Sequence, residues 1–249
     1  MATKTLLEIV QNILSDMDSD EVNSITDTTE AMQVAEIVRT TYDEVAASRD
    51  WEYHKRLFSL VSSGNSALPN YMKLPDDVVK IEFIKYNKRT HSDTRDRYET
   101  VTYKYPDEFI DYCNGRNGDE DNTVLVTDHS GIEYYIENDK APSYYTSFND
   151  EWVVFDSYDS EVDDTLRESK NQVYGTIVPE LAMSNTAVPS LPPEAFPYLI
   201  AEAKSVAFSH LRQTANAKEE QKSRRQRTWL AQKNWRVHGG IRYPDYGRK

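Results

Sequence analysis

Pro192–Lys249 reads PPEAFPYLIAEAKSVAFSHLRQTANAKEEQKSRRQRTWLAQKNWRVHGGIRYPDYGRK. Its first third is apolar at helical spacing. Phe196, Leu199, Ile200, Ala203, Val206, Ala207 and Leu211 recur at steps of three and four, which places them on one helix face. Beyond Thr214 the stripe thins to Ala215, Ala217, Trp229, Leu230 and Trp235. Lys, Glu, Gln and Arg keep helix propensity high in between. Pro192, Pro193 and Glu194 suit a helix start, and Gly239-Gly240 stops one. The spacing predicts a single helix over residues 193–236, ~65 Å long at 1.5 Å per residue. One half of it is built to pack on the molecule, and the other half to meet something else.

The charge follows the same division. From Lys204 to Lys249 there are 12 Lys/Arg and 3 Asp/Glu, a local balance of +9. The whole chain of 249 residues carries −13, so the remainder holds −22. An acidic body with a basic C-terminal arm argues against wrapping nucleic acid with the body. The arm could meet phosphates or an acidic protein surface. With 38% hydrophobic and 11% aromatic residues the composition is that of a globular protein. The single Cys113 excludes an intrachain disulfide and a cysteine metal cluster. No stretch approaches 18 apolar residues, so no membrane span is expected. MATKTLLEIVQNIL lacks a long apolar core and a cleavage site, so no signal peptide is read.

Read in order, Thr5–Met17 is a first helix, with Leu6, Leu7, Ile9, Val10, Ile13 and Leu14 as its apolar face. Asp16, Asp18 and Asp20 imitate the start of a calcium loop. Glu21 stands where that loop needs glycine, and Asp27 where it needs Glu, so an acidic solvated loop is the better reading. A second helix follows, capped by Asp27 or Thr28. Its face is Ala31, Val34, Ala35, Val38, Tyr42, Val45 and Ala46. Trp51 is a packing anchor just past its end. From His54 the texture changes to alternation and β-branched or aromatic residues. About six to eight short strands are expected, with a short helix at Pro106–Arg116 and a hairpin turning at His129–Gly131. Val79–Tyr86 reads as a strand covered on both faces over its middle. Residues 171–181 read as a final strand or an extended connector. The expected class is α+β. In that architecture a helical bundle is made by the N-terminal helices and the long C-terminal helix, with an inserted β-rich subdomain and an extended C-terminal arm. The expected divisions are 1–54, 55–188, 189–236 and 237–249.

The sequence carries no nucleotide, phosphate-loop, serine-hydrolase or zinc-protease motif. His54, His91, His129, His210 and His238 lie in different elements with no metal-ligand spacing. Carboxylates are too abundant for any pair to single itself out as an acid/base couple. Tyr134-Tyr135 and Tyr144-Tyr145 point to opposite sides of their strands, which suits sheet and interface material better than a sugar-binding face. No catalytic residue, cofactor site or metal site is assigned. Only the C-terminal arm has a composition that demands a partner. Arg224, Arg225 and Arg227, with Trp229, Trp235, Tyr243 and Tyr246, are the residue types that dominate interface hot spots.

Three runs carry a resemblance. TDTTEAMQVAEIVRTTYDEVAASRDWEYHKRLFSL and LPDDVVKIEFIKYN resemble the N-terminal half of head-to-tail adaptor proteins of short-tailed bacteriophages, the tail tubular protein A or gatekeeper-adaptor group. PPEAFPYLIAEAKSVAFSHLRQTANAKEEQKSRRQ resembles that group's C-terminal helix. The resemblance covers both ends of the chain well and the β-rich middle loosely. It implies a structural virion protein, made in the host cytoplasm, whose copies form a dodecameric ring below the portal. The ring would extend the DNA channel and carry the tail nozzle and fibres. Arg224, Arg225, Arg227, Trp229, Trp235, Arg236, Tyr243 and Tyr246 would then dock on the portal, and the acidic body would let DNA slide past without sticking. Two other classes stay open at this level: a virion enzyme degrading polysaccharide or peptidoglycan with carboxylates as acid and base, and a nucleic-acid binder acting through the basic arm.

Overall fold

A computed structural model describes residues 3–48, 51–89, 94–159 and 170–232. The chain begins with α1 (Leu6–Asp16) and α2 (Thr29–Ala47). Strands β1 (Lys55–Phe58), β2 (Val61–Ser62), β3 (Tyr71–Lys73), β4 (Val78–Asn87) and β5 (Tyr98–Tyr103) come next. Then follow α3 (Pro106–Asn114), β6 (Thr123–Thr127), β7 (Glu133–Glu137), β8 (Tyr144–Thr146), β9 (Trp152–Phe155) and β10 (Asn171–Ile177). Helices α4 (Phe196–Leu211) and α5 (Ala217–Gln232) close the described chain. There are two compact units, Lys55–Ile177 and the combination of residues 1–54 with 178–249.

This overturns the expected architecture in two respects. The fold is β-rich, its largest element a curled mixed sheet of eight strands with the form of a half-barrel, and it is not a helical bundle closed by one long C-terminal helix. The C-terminal segment is two helices instead of one, because the chain turns at residues 212–216. Gln213 there has φ +52, a left-handed conformation that no helix continues through. Asn216 restarts the next helix by accepting the Glu219 N–H at 3.3 Å. Asn followed three residues later by Glu is a helix-start pattern, and it was present in the sequence to be read.

In the helical unit, Thr5 caps α1 reciprocally with Glu8, and Thr28 caps α2 through the Ala31 N–H. The α1 residues Leu6, Ile9, Val10, Ile13 and Leu14 are buried with the whole expected face of α2. Leu199, Ala203 and Ala207 of α4, with Trp51, Leu181 and Leu191, complete that core. The connector after β10 satisfies backbone groups that α1 leaves free. The Ala187 carbonyl accepts the Leu6 N–H at 2.7 Å and the Asn185 carbonyl accepts the Leu7 N–H at 3.4 Å.

In the β unit the order is β1-β10-β4-β5-β8-β9-β3-β2. Among the described strand pairs of this sheet, β5–β8 alone is parallel. The two end strands belong to one segment, since only Ser59 and Leu60 separate β1 from β2. That segment pairs with β10 through its first half and with β3 through its second. β5 does the same, pairing with β4 up to Val101 and with β8 from Thr102. Two strands that change partners bend the sheet and enclose a core of Leu60, Met72, Ile84, Tyr86, Val153, Phe155 and Val173. The other face of the same strands packs under α3 and the β6–β7 hairpin. Tyr71 and Val154 point that way, while their neighbours Met72, Val153 and Phe155 point inward.

β10 is a central strand, where the sequence left a connector as an equal option. β4 was expected to be covered on both faces along its middle, and its burial begins only in its second half. The cause is β5, which pairs with Ile84–Asn87 alone and leaves Val79 67% exposed.

Candidate interaction surfaces

The residues predicted to dock divide into two sets. Arg224, Arg225, Arg227 and Trp229 lie on α5 and are all exposed. Trp235, Arg236, Tyr243 and Tyr246 lie outside the described residues. α5 touches the rest of its unit along a narrow line. Ser223 and Leu230 are buried, Glu219 and Gln226 half-buried, and these recur at helical spacing. The remaining perimeter is polar. The Arg224 guanidinium reaches Glu220 at 2.5 Å with its side chain 78% exposed, a pair worth little in stability at that exposure. The Trp229 ring is 41% exposed. This leaves a basic surface with an aromatic residue, held out by a helix with almost no core of its own.

The anchorage of that surface comes from α4. The Lys204 ammonium is buried and paired with Asp16. Arg212 donates to the Met17 carbonyl at 2.9 Å and the Ser19 hydroxyl at 2.7 Å, and lies 3.3 Å from Glu30. Asp16 is thus engaged by Lys204, and no three His, Cys, Asp or Glu side chains among the described residues are grouped to hold a metal ion.

The β unit carries a second surface of different chemistry. After Val101 the strand β5 leaves β4 for β8, and the strands splay. The gap is a cleft of about 510 Å³ lined by Leu74, Val79, Ile81, Tyr103, Tyr145 and Trp152. Tyr103 meets Tyr145 at 5.4 Å and Tyr105 at 5.5 Å, edge to face. Beside them the Lys104 ammonium lies 4.5 Å from the Tyr144 ring and 5.5 Å from the Tyr112 ring. Tyr134 is buried, whereas Tyr144 and Tyr145 are half-buried.

Two buried polar systems fix this surface, and sequence reasoning found neither. Arg116, with its side chain only 9% exposed, joins α3 to the hairpin and sheet. It donates to the Asp156 carbonyl at 2.6 Å and the Tyr135 carbonyl at 3.2 Å. It pairs with the carboxylates of Asp156 at 3.2 Å and Glu137 at 3.0 Å. Asp156 also accepts the N–H groups of Ser143 and Tyr144 at 2.9 and 2.8 Å. Neighbouring Cys113 is fully buried, and burial pushes its thiol up to about 12.

The second system is a directed chain of hydrogen bonds. The Asn70 amide donates to Tyr134 Oη at 3.1 Å, Tyr134 to Tyr71 Oη at 3.2 Å, and Tyr71 to Asp128 at 2.5 Å. Burial acts to raise the Asp128 carboxyl, but the bonds from Tyr71 and Ser130 outweigh it and hold the group down at about 2. Burial drives Tyr71 and Tyr134 above the ordinary phenol range. The chain ends at a pocket of about 360 Å³ where His129 packs against Tyr71 and Trp152. Both Asp128 oxygens are taken, one by Tyr71 and one by the Ser130 N–H and hydroxyl, which suits a carboxylate that fixes the β6–β7 turn. Compared with models of known protein families and with curated protein sequences, the chain matches none.

Proposed function

We propose that this protein is a structural head-to-tail adaptor of a short-tailed phage virion, its copies forming a ring between the portal and the tail nozzle. The observation that carries the reading is α5, a basic and thinly packed helix on a chain whose remainder is strongly acidic. A helix so little used by its own fold is free to serve a partner. Arg224, Arg225, Arg227 and Trp229 are the groups that would grip an acidic portal surface. The aromatic cleft of the β unit supports a second attachment, to tail nozzle or fibre, because exposed apolar and tyrosine-rich patches mark protein contacts. The acidic remainder supports passage of DNA through a ring without adhesion. The resemblance of Thr26–Leu60, Leu74–Asn87 and Pro192–Gln226 to that adaptor group supports the same reading and implies a dodecamer.

Electron microscopy of the purified full chain with its cognate portal protein is the test. A closed ring seated on the portal is the expected image. Particles that stay separate from the portal at micromolar concentration would overturn the reading.

A further inference from the structure

Residues 198–232 contain neither glycine nor proline, yet the helix stops at Leu211 and restarts at Ala217. The stop is made by a residue with a side chain, Gln213, in the left-handed region at φ +52. The N–H groups of Arg212 and Thr214 both turn back to the Phe208 carbonyl, at 3.1 and 3.3 Å. The restart rests on one side chain, Asn216, at 3.3 Å from the Glu219 N–H. On the α4 side of the turn, Arg212 is fixed to Met17, Ser19 and Glu30, so α4 is held. On the other side, among the described residues, α5 lies along α4 through the line Glu219, Ser223, Gln226 and Leu230. Leu230 joins the core, and the Ser223 hydroxyl donates to the Glu202 carboxylate of α4.

From this geometry we infer that the α4–α5 turn is a jackknife hinge. Residues 212–216 convert to helix, α5 swings away from α4, and Phe196–Gln232 becomes one continuous helix about 55 Å long. Every residue of the turn is able to be helical, and the opened form releases the left-handed strain at Gln213 while gaining helical backbone bonds. The folded form keeps Leu230 and Ser223 covered and the Asn216 cap made. The two forms exchange one set of contacts for another, which is the condition for a two-state element that a partner can bias. Opening carries the arginine face outward and bares the line of contact on both helices for a helical partner. The inference stands on the hinge itself and does not depend on the adaptor reading.

The test uses the full chain with spin labels at Ser205→Cys and Thr228→Cys, in α4 and α5. Helix rise and interhelix spacing put these Cα atoms about 15 Å apart when folded and about 35 Å apart when continuous. Asn216→Ala removes the cap, and Leu230→Ala loosens the contact line. Each is expected to raise the long-distance population several-fold, with the far-ultraviolet helix signal equal or higher. Gln213→Gly relieves the strain and is expected to lower that population. Distances that stay near 15 Å in both loosening variants would overturn the hinge. So would long, broad distances accompanied by loss of helix signal, because α5 would then be melting instead of straightening.

Discussion

The two units are held together by opposite means. The helical unit has a mainly apolar core, tied by Lys204–Asp16 and Arg212, and buries few polar side chains, Thr41, His54, Lys204 and Ser223 among them. The β unit buries Asn70, Asp156, Ser157, Thr146, Asn171 and Thr176. The cause is backbone bookkeeping. A helix satisfies its own peptide groups and asks its neighbours only for shape. A strand that changes partners leaves groups unpaired at the bend, and side chains must supply the missing bonds. Asn171 does this at Leu60, donating to its carbonyl at 3.3 Å and accepting its N–H at 2.7 Å, as a neighbouring strand would.

The contrast can be broken most severely at Arg116. Replacing it by Met leaves buried Asp156 without its cation and Glu137 with Lys140 alone, and loss of a buried partner costs about 3–5 kcal/mol. Chemical denaturation of the variant measures it, and an unchanged midpoint would remove the polar explanation of the β unit. Leu199→Ala in the helical unit is the apolar counterpart, expected to cost about 3 kcal/mol by cavity formation. Asn171→Leu keeps the volume and orphans the two Leu60 groups, for about 2 kcal/mol.

A smaller effect is expected from acid. Asp128 is held at about 2 in the folded chain against 3.8 for its ordinary value, so the unfolded chain takes up the proton first. Its contribution is complete above that ordinary value and is lost as pH falls toward 2. Asp128→Asn should therefore flatten the stability profile in that window and leave the neutral-to-alkaline limb unchanged. The smallest effect is at the exposed arm. Arg225→Ala is expected to stay within about 0.5 kcal/mol of the parent. Amides of α5 should nonetheless exchange faster than those of α4, because few buried contacts protect them.

The helical unit was the more legible part of the sequence. The faces of α1 and α2, and the burial of Trp51, follow from spacing, because a helix repeats its pattern on a single strand of chain. Less of the β unit could be read. Nothing local distinguishes Asn171 from a loop asparagine, since its partner Leu60 is 111 residues away. Arg116 reads as a polar residue at a helix end until Asp156 and Glu137 are placed around it. The splay of β5 depends on β8, which no alternation pattern reveals. The turn at residues 212–216 is a different matter. Asn216 and Glu219 announced it, and unbroken helix propensity on either side concealed it. Of the arm, Arg224, Arg225, Arg227 and Trp229 were legible as surface because a basic run without an apolar stripe has no core to enter.

The central place of β10 bears on how this chain is made. β1 and β4 flank it, yet both leave the ribosome about a hundred residues earlier. Until Ile177 has been synthesised, those two strands each wait with an open edge. The helical unit waits longer still, because its core needs α4 as well as α1 and α2. Contacts of such long sequence separation fold slowly and leave the nascent chain exposed to association. Folding should therefore be largely post-translational, and ribosome-bound chains truncated before Asn171 should be captured by chaperones far more readily than released full-length chains.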